Sequence, residues 1–483
     1  MTEHSTERLG DRFKIILMSL GQKQLTPFMQ VVLSIFSLLL LATVHIYWSE
    51  EKLLNEGGKE LVNIINGKKI FLLHPERWPL FITQILPVVG VWMELQLKWL
   101  VYLYSFNVVF ITVLISVACM RMGERMAGFY LTAINFIGIG LGFFLYPFSE
   151  PLYALLFSYL LWRLLSVMDD SPTRMVFAAL LVVYISSFHQ NAFLFPMLAV
   201  LAAGLSLRAT ALLWGLSIVV FLVSLILTEV DAGSRLSMLE LTIYGPLHFA
   251  SSYPVITALA LASLVHCWTR LHGIGWFIVL ITSLVPALFY EQVPDSYSLI
   301  TAGSTVFYWA TYTRHRPRWW IVGVIAISIF FNLTIVSSIG QRNREIKNVV
   351  CELVQTAQEK GNKKNATTSQ LISDPYMRHH FESLMDGAIR HSSLIFSSLD
   401  GSETSVVIDD VAFHRLHFPS AFSKSENELL SLHRLYDTTV CENLHESLGH
   451  EYEYARYFFT NPCLNDYYFD VGTAPPVWLL DHP

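Results

Sequence analysis

The stretch His74-Pro75-Glu76-Arg77-Trp78 puts an imidazole, a carboxylate, a guanidinium and an indole within five residues. Proline restricts the backbone before and at it, so these groups sit on a bend and not inside a continuing helix. A carboxylate such as Glu76 can accept a proton from a hydroxyl. Arg77 can hold a phosphate through its planar fork. The plainer reading is a membrane-surface anchor, with Arg77 and Trp78 at the headgroups.

Other polar groups fall at the ends of apolar runs. Phe148-Ser149-Glu150-Pro151 leaves Glu150 little loop to carry it away from the helices, although an acid beside a helix-starting proline is also an ordinary turn. Ser186-Ser187-Phe188-His189-Gln190-Asn191 supplies donors and acceptors suited to sugar hydroxyls or phosphate, His189 and Gln190 foremost. Glu229, Asp231, Arg235 and His248 share a longer loop, and Tyr290, Glu291, Gln292 and Asp295 complete an acidic rim. Solvated loop residues are the plain alternative for that rim. No cofactor is required by this pattern. A divalent cation could be held by Glu229, Asp231 and His248, although their spacing does not select one.

The elements that position these groups are membrane spans. The 483 residues are 53% hydrophobic and 14% charged, against about 25% charged in soluble domains. A net charge of -6 without a basic tract argues against nucleic acid as a partner. Five cysteines and no Cys-x-x-Cys give neither a disulfide framework nor a zinc ribbon. Among the tail cysteines, Cys441 can pair with Cys463, and Cys351 is an equal candidate. Nucleotide-pump, zinc-protease and serine-hydrolase motifs are absent.

Residues 1–27 form a leader with Arg8, Arg12, Lys14 and Lys23, and the run from Phe28 to Trp48 reads as an uncleaved signal anchor with a cytoplasmic amino terminus. Further runs near 97–120, 127–146, 152–168, 174–188, 191–207, 210–228, 253–269, 275–290, 299–313 and 319–338 bring the total to about eleven spans. Arg121, Arg125, Arg174, Arg208, Arg270, Arg314, Arg316 and Arg318 then fall in inner loops, as the positive-inside rule requires. Loop 49–96 and the tail 340–483 lie on the outer face.

Within that loop, Glu50–Ile65 has a near-helical apolar spacing, is expected to break at Gly57-Gly58, and should lie at the membrane interface. Leu80–Trp92 is too short for a confident span and reads as interfacial or re-entrant. The tail predicts helices over Arg342–Lys360, around Tyr376–Phe396 and over Glu426–Phe459, with a strand at Ser405–Ile408. The fold class is therefore an all-α polytopic membrane protein, with a transmembrane domain over 28–339 and an extracytoplasmic, mainly helical α+β domain over 340–483.

This order of parts resembles the GT-C superfamily of membrane glycosyltransferases: cytoplasmic amino terminus, one span, a long outer loop with two interfacial helices, a multi-span bundle and an outer carboxyl-terminal domain. Members carry acidic residues in the first outer loop, sometimes His-Pro-Asp-Glu, and here the matching stretch is His74-Pro75-Glu76-Arg77, with Arg77 where a second acid would stand. The resemblance implies transfer of a sugar or glycan from a polyprenyl-phosphate or polyprenyl-diphosphate donor in the membrane lipid to a protein or glycan acceptor on the outer face. It implies Glu76 as catalytic base, with His74, Arg77, Trp78, Glu150, His189, Gln190, Arg235, Tyr290 and Glu291 around the substrates. A bacterial inner membrane with a periplasmic tail fits, and an endoplasmic-reticulum protein reads similarly, in which case Asn365-Ala366-Thr367 is a glycosylation sequon. The competing classes are a lipid or solute carrier, which calls for inner-face polar residues beyond Asp169 and Asp170, and a structural subunit that docks a partner outside.

Overall fold

A computed structural model describes residues 24–54, 56–66, 75–137, 150–167, 172–188, 192–227 and 319–360, with shorter pieces at 365–367, 371–372, 389–399 and 405–407. The expected spans at 253–269, 275–290 and 299–313, the stretch Glu426–Phe459, and Cys441 and Cys463 lie outside the described residues.

Helix α1 (Pro27–Tyr47) starts at Thr26, whose hydroxyl accepts the Met29 N–H at 3.3 Å, with proline in the first turn. A 3-10 turn (Glu51–Leu53) leads to α2 (Glu56–Asn66). A 3-10 segment (Pro75–Gln84) then passes directly into α3 (Ile85–Trp92). Next come α4 (Leu97–Arg121), α5 (Ala127–Ile137), α6 (Glu150–Val167), α7 (Pro172–Ser186), α8 (Leu194–Ala203) and α9 (Leu207–Leu227). Helix α10 (Trp319–Glu359) is 41 residues long. Strand β1 (Asn365–Thr367), α11 (Ile389–Leu399) and β2 (Ser405–Val407) follow, and the two strands pair in parallel with Ala366 opposite Val406.

Three of the described helices are long and apolar enough to cross a membrane: α1, α4 and the part of α10 from Ile325 onward. The burial pattern suits lipid. Phe28, Phe36, Phe177, Leu180, Leu222 and Phe330 are exposed on the perimeter, while Ser34, Asn107, Thr112, Ser116, Thr132, Asn135, Ser158 and Asn332 are buried.

Side chains gather into two apolar cores. One joins α1, the inner two thirds of α4, α5 to α9 and the first half of α10, with Ile111, Tyr130, Tyr153, Trp162 and Ile325 among its members. The other joins Leu53, Leu61 and Ile65 to Val88 and Val91 of α3, Leu97–Tyr104 of α4, Val350–Val354 of α10, Leu394–Phe396 of α11 and Val406 of β2. Helices α4 and α10 therefore thread both cores, and the level between them is marked by Trp48, Ser105 and Gly340.

This arrangement corrects one expectation and sharpens another. The apolar residues of Glu50–Ile65 are buried by protein, against α4 and the tail. The helix also begins ahead of Gly57-Gly58 and runs through them. A Cβ on Gly57 would stand 1.8 Å from the Lys52 carbonyl oxygen, so glycine permits a close approach there. In the tail, the polar run Arg342–Lys360 is the carboxyl-terminal part of the same helix that begins at Trp319.

Polar contacts clamp the junction between the cores. Arg344 donates to the Glu51 carboxylate at 2.7 Å and to the Tyr47 hydroxyl at 3.1 Å, and its guanidinium lies 4.6 Å from the Trp48 ring centre. Lys347 pairs with Glu50, and the Ser392 hydroxyl donates to the Leu53 carbonyl at 2.6 Å. Trp48, just past the end of α1, packs on Gly340 near the middle of α10, and the second half of α10 continues into the core that holds Leu53.

At the opposite end, Arg163 of α6 donates to the Met122 carbonyl and lies 3.7 Å from the Glu124 carboxylate, tying α6 to the α4–α5 turn. Ser34 donates to the Arg125 carbonyl at 2.7 Å and ties α1 to the same turn. These bonds fix the inner ends of α1, α4, α5 and α6 at one level.

Two glycines of α10 predict opposite responses to alanine. Nothing lies within 4 Å of a Cβ on Gly323, so Gly323→Ala should gain up to about 1 kcal/mol of helix propensity. A Cβ on Gly340 would stand 2.6 Å from the Trp48 ring, so Gly340→Ala should lose about 1–3 kcal/mol by overpacking. Thermal unfolding of the two variants in one detergent checks the difference in sign.

Candidate functional site

A buried side chain bonds the segment that carries Glu76. Asn107 lies ten residues into α4 and is completely buried. Its carboxamide oxygen accepts the Leu86 N–H at 3.0 Å, and its nitrogen donates to the Ile82 carbonyl at 2.9 Å and to the Tyr153 hydroxyl at 3.0 Å. Both amide protons are used. The bonds fall where the 3-10 segment becomes α3, at Gln84, which has φ -110° and ψ -2°. Backbone groups left open by that change of helix type need partners, and a lone asparagine in an apolar helix supplies them. The Thr83 hydroxyl satisfies the Leu80 carbonyl at 2.7 Å.

Beyond Trp92 the chain reverses. Glu94 adopts a left-handed backbone (φ 54°), and the Leu95 N–H closes on the Gly90 carbonyl at 3.0 Å. Helix α3 then packs antiparallel along α4. From the bonds of Ile82 and Leu86 to Asn107, the segment runs back along α4 to the amino-terminal end of that helix. Ser105, two residues before Asn107, is level with the outer end of α1, where its hydroxyl donates to the His45 carbonyl at 2.6 Å. Asn107 therefore lies about 3 Å inward of the level that divides the two cores.

Tyr153 makes Asn107 a meeting point. It stands three residues after Glu150, which opens α6 and is half-buried, so the two are about one helical turn apart. Phe188, the neighbour of His189, stacks on Tyr153 with ring centres 6.4 Å apart and planes 13° apart, and meets Tyr184 edge-on at 5.1 Å. Two segments singled out in the sequence, the 3-10 segment that includes Glu76 and the helix opened by Glu150, are thereby tied to one buried post through Ile82 and Tyr153.

The backbones of Glu76, Arg77 and Trp78 lie in the first turn of the 3-10 segment. Glu76 is six residues before Ile82, about 12 Å along such a helix. His74, His189, Gln190, Arg235, Tyr290 and Glu291, with Glu229, Asp231 and His248, lie outside the described residues. Among the described residues, no group of three or more His, Cys, Asp or Glu side chains is arranged to hold a metal ion. The sequence reading passed over Asn107 because it sought charges. The signal was an uncharged amide in an otherwise apolar helix.

A second polar group is buried at the level between the cores. Lys52 is completely buried, and its amine meets Nδ1 of His45, which lies 3.2 Å from the Ser105 carbonyl. The two nitrogens and the carbonyl oxygen thus form one buried polar group. Burial holds the Lys52 amine well below its ordinary pKa, and the Glu51 carboxylate only partly opposes this. Comparison with protein-family models, curated proteins and solved structures found no match to this chain.

Two outcomes follow. Asn107→Leu strips partners from the Ile82 carbonyl, the Leu86 N–H and the Tyr153 hydroxyl, and should cost about 2–4 kcal/mol. Thermal unfolding in detergent measures the loss, and limited proteolysis should cut the 75–92 segment sooner. For Lys52, the unfolded chain binds a proton that the folded chain does not, between the lowered folded pKa and the ordinary value of 10.5. Stability should therefore rise with pH across that window, and Lys52→Met should flatten the rise. A set of melting curves from neutral pH upward decides it.

Proposed function

We propose that this chain is a membrane glycosyltransferase of the GT-C type. It transfers a sugar or glycan from a polyprenyl-phosphate or polyprenyl-diphosphate donor to a protein or glycan acceptor on the periplasmic face of a bacterial inner membrane. The observation that carries the reading is the Asn107 post. It anchors the segment bearing Glu76 to the first turn of the helix opened by Glu150, close beneath an outer layer of protein. A site that handles a lipid-linked substrate must hold polar groups rigidly where the apolar core ends, and this anchoring does that.

In this reading Glu76 removes the proton from an acceptor hydroxyl as its oxygen attacks the anomeric carbon. The bond from that carbon to the phosphate oxygen breaks on the opposite side, and the phosphate leaves with the electron pair and inversion at carbon. Arg77 or Arg235, with His189, stabilises the charge growing on the departing phosphate. His74, Trp78, Glu150, Gln190, Tyr290 and Glu291 contact the sugar, the acceptor or the headgroup. The exposed apolar faces of the helices meet the lipid tail.

Membranes holding the wild type or Glu76→Gln, matched for folded protein, would be given radiolabelled polyprenyl-phosphate and polyprenyl-diphosphate sugars. Label should leave the lipid pool with the wild type and fall by about 100-fold or more with the variant, the scale of a lost general base. A pool unchanged by either protein across several sugars would favour a carrier or a structural subunit.

A further inference from the structure

Two asparagines deep in the bundle make the same choice with their amide protons. Asn135 of α5 donates to the carbonyl four residues back, that of Leu131, at 2.8 Å, and to the Thr112 hydroxyl of α4 at 3.2 Å. Asn332 of α10 donates to the carbonyl four residues back, that of Ser328, at 2.8 Å. Both side chains are fully buried, and neither carboxamide oxygen has a hydrogen-bond partner among the described residues. The hydroxyl of Thr132, three residues before Asn135 on α5, is likewise buried and unpartnered. Rotating either amide would bring two oxygens together at the carbonyl it now serves, so neither flip removes the difficulty.

Helix arithmetic puts the two asparagines at one depth. Ser34 of α1 touches Gly128, and Asn135 is seven residues further outward, about 10 Å. Trp48 touches Gly340, and Asn332 is eight residues further inward, which is about 9 Å outward of the Ser34 level on the same scale. Helices α5 and α10 pack together. Asn332 lies in the buried stripe Val322, Ile325, Ile329 and Val336, opposite the exposed Ile327, Phe330 and Phe331.

We propose that the α5–α10 seam binds a water molecule that donates to the carboxamide oxygens of Asn135 and Asn332 and accepts from the Thr132 hydroxyl. Two unpartnered acceptors at one depth on helices that pack together are suited by a guest with two donors, and three protein partners are what a buried water ordinarily has. A monovalent cation would also suit oxygen ligands. Burying its charge without a nearby counter-charge costs far more than immobilising a water, so water is the occupant.

The test uses the full chain in detergent. X-ray-generated hydroxyl radicals mark residues beside ordered water even where bulk solvent is excluded. The wild type should be oxidised at Leu131 or Phe136, and Asn332→Leu should abolish the mark. Melting curves supply the second reading: Asn135→Leu and Asn332→Leu should each lower the midpoint, and the double variant should lose less than the two losses combined. An unmarked seam in the wild type overturns the proposal without depending on any variant. A midpoint raised by sodium or potassium over choline, and not so raised in Asn332→Leu, overturns it in favour of a cation.

Discussion

Helix α10 has to satisfy two surroundings with one uninterrupted backbone, and the rest of the architecture follows from how it does so. Its first half presents Ile325, Ile329 and Val336 to the bundle, and its second half presents Val350, Leu353 and Val354 to the outer core. Between them the helix needs neither a large side chain nor a break. Gly340 lets the Trp48 ring lie against the backbone, and Arg344 covers that ring while holding Glu51. A rigid rod joined to α1 at this level fixes the height of the outer layer, and with it the height at which the 75–92 segment must end.

Helix α4 performs the same task from the other direction. Its outer turns, with Leu97, Leu100 and Tyr104, belong to the outer core, and its inner turns, with Ile111, Ile115 and Cys119, belong to the bundle. The change of surroundings falls at Ser105 and Asn107, which are polar for that reason. Ser105 serves the end of α1 and Asn107 serves the change of helix type at Gln84. In a layer with little water, a backbone group released by irregular structure must find protein, and these two side chains are what it finds.

Much of the helical order was legible in the sequence because apolar runs of membrane length are a strong signal: the runs at 97–120, 152–168 and 174–188 correspond to α4, α6 and α7 within a few residues. The reading of Leu80–Trp92 as something other than an ordinary span also rested on physical grounds, its length and Pro87. What periodicity could not reveal was which partner an apolar face would choose. Leu61 and Ile65 look the same in sequence whether they face lipid or Leu394, and the choice depends on residues more than 300 positions away. The anchoring of the candidate site was hidden for a related reason, since Asn107, Tyr153 and Phe188 carry no charge and belong to three separate runs.

The bond from Ser392 to the Leu53 carbonyl joins residues 339 positions apart, and that separation is also an interval of time. A ribosome adding about 5–20 residues per second needs roughly 20–70 seconds to pass from one to the other. For that interval Leu53, Leu61 and Ile65 have only α3, α4 and then α10 to cover them, and lack the part of their core that α11 supplies. Among the described residues, the surface that α11 and β2 supply to this core is thus the last to be made, and a chain cut short before α11 would leave Leu53 and Leu61 without the cover of Leu394 and Phe396.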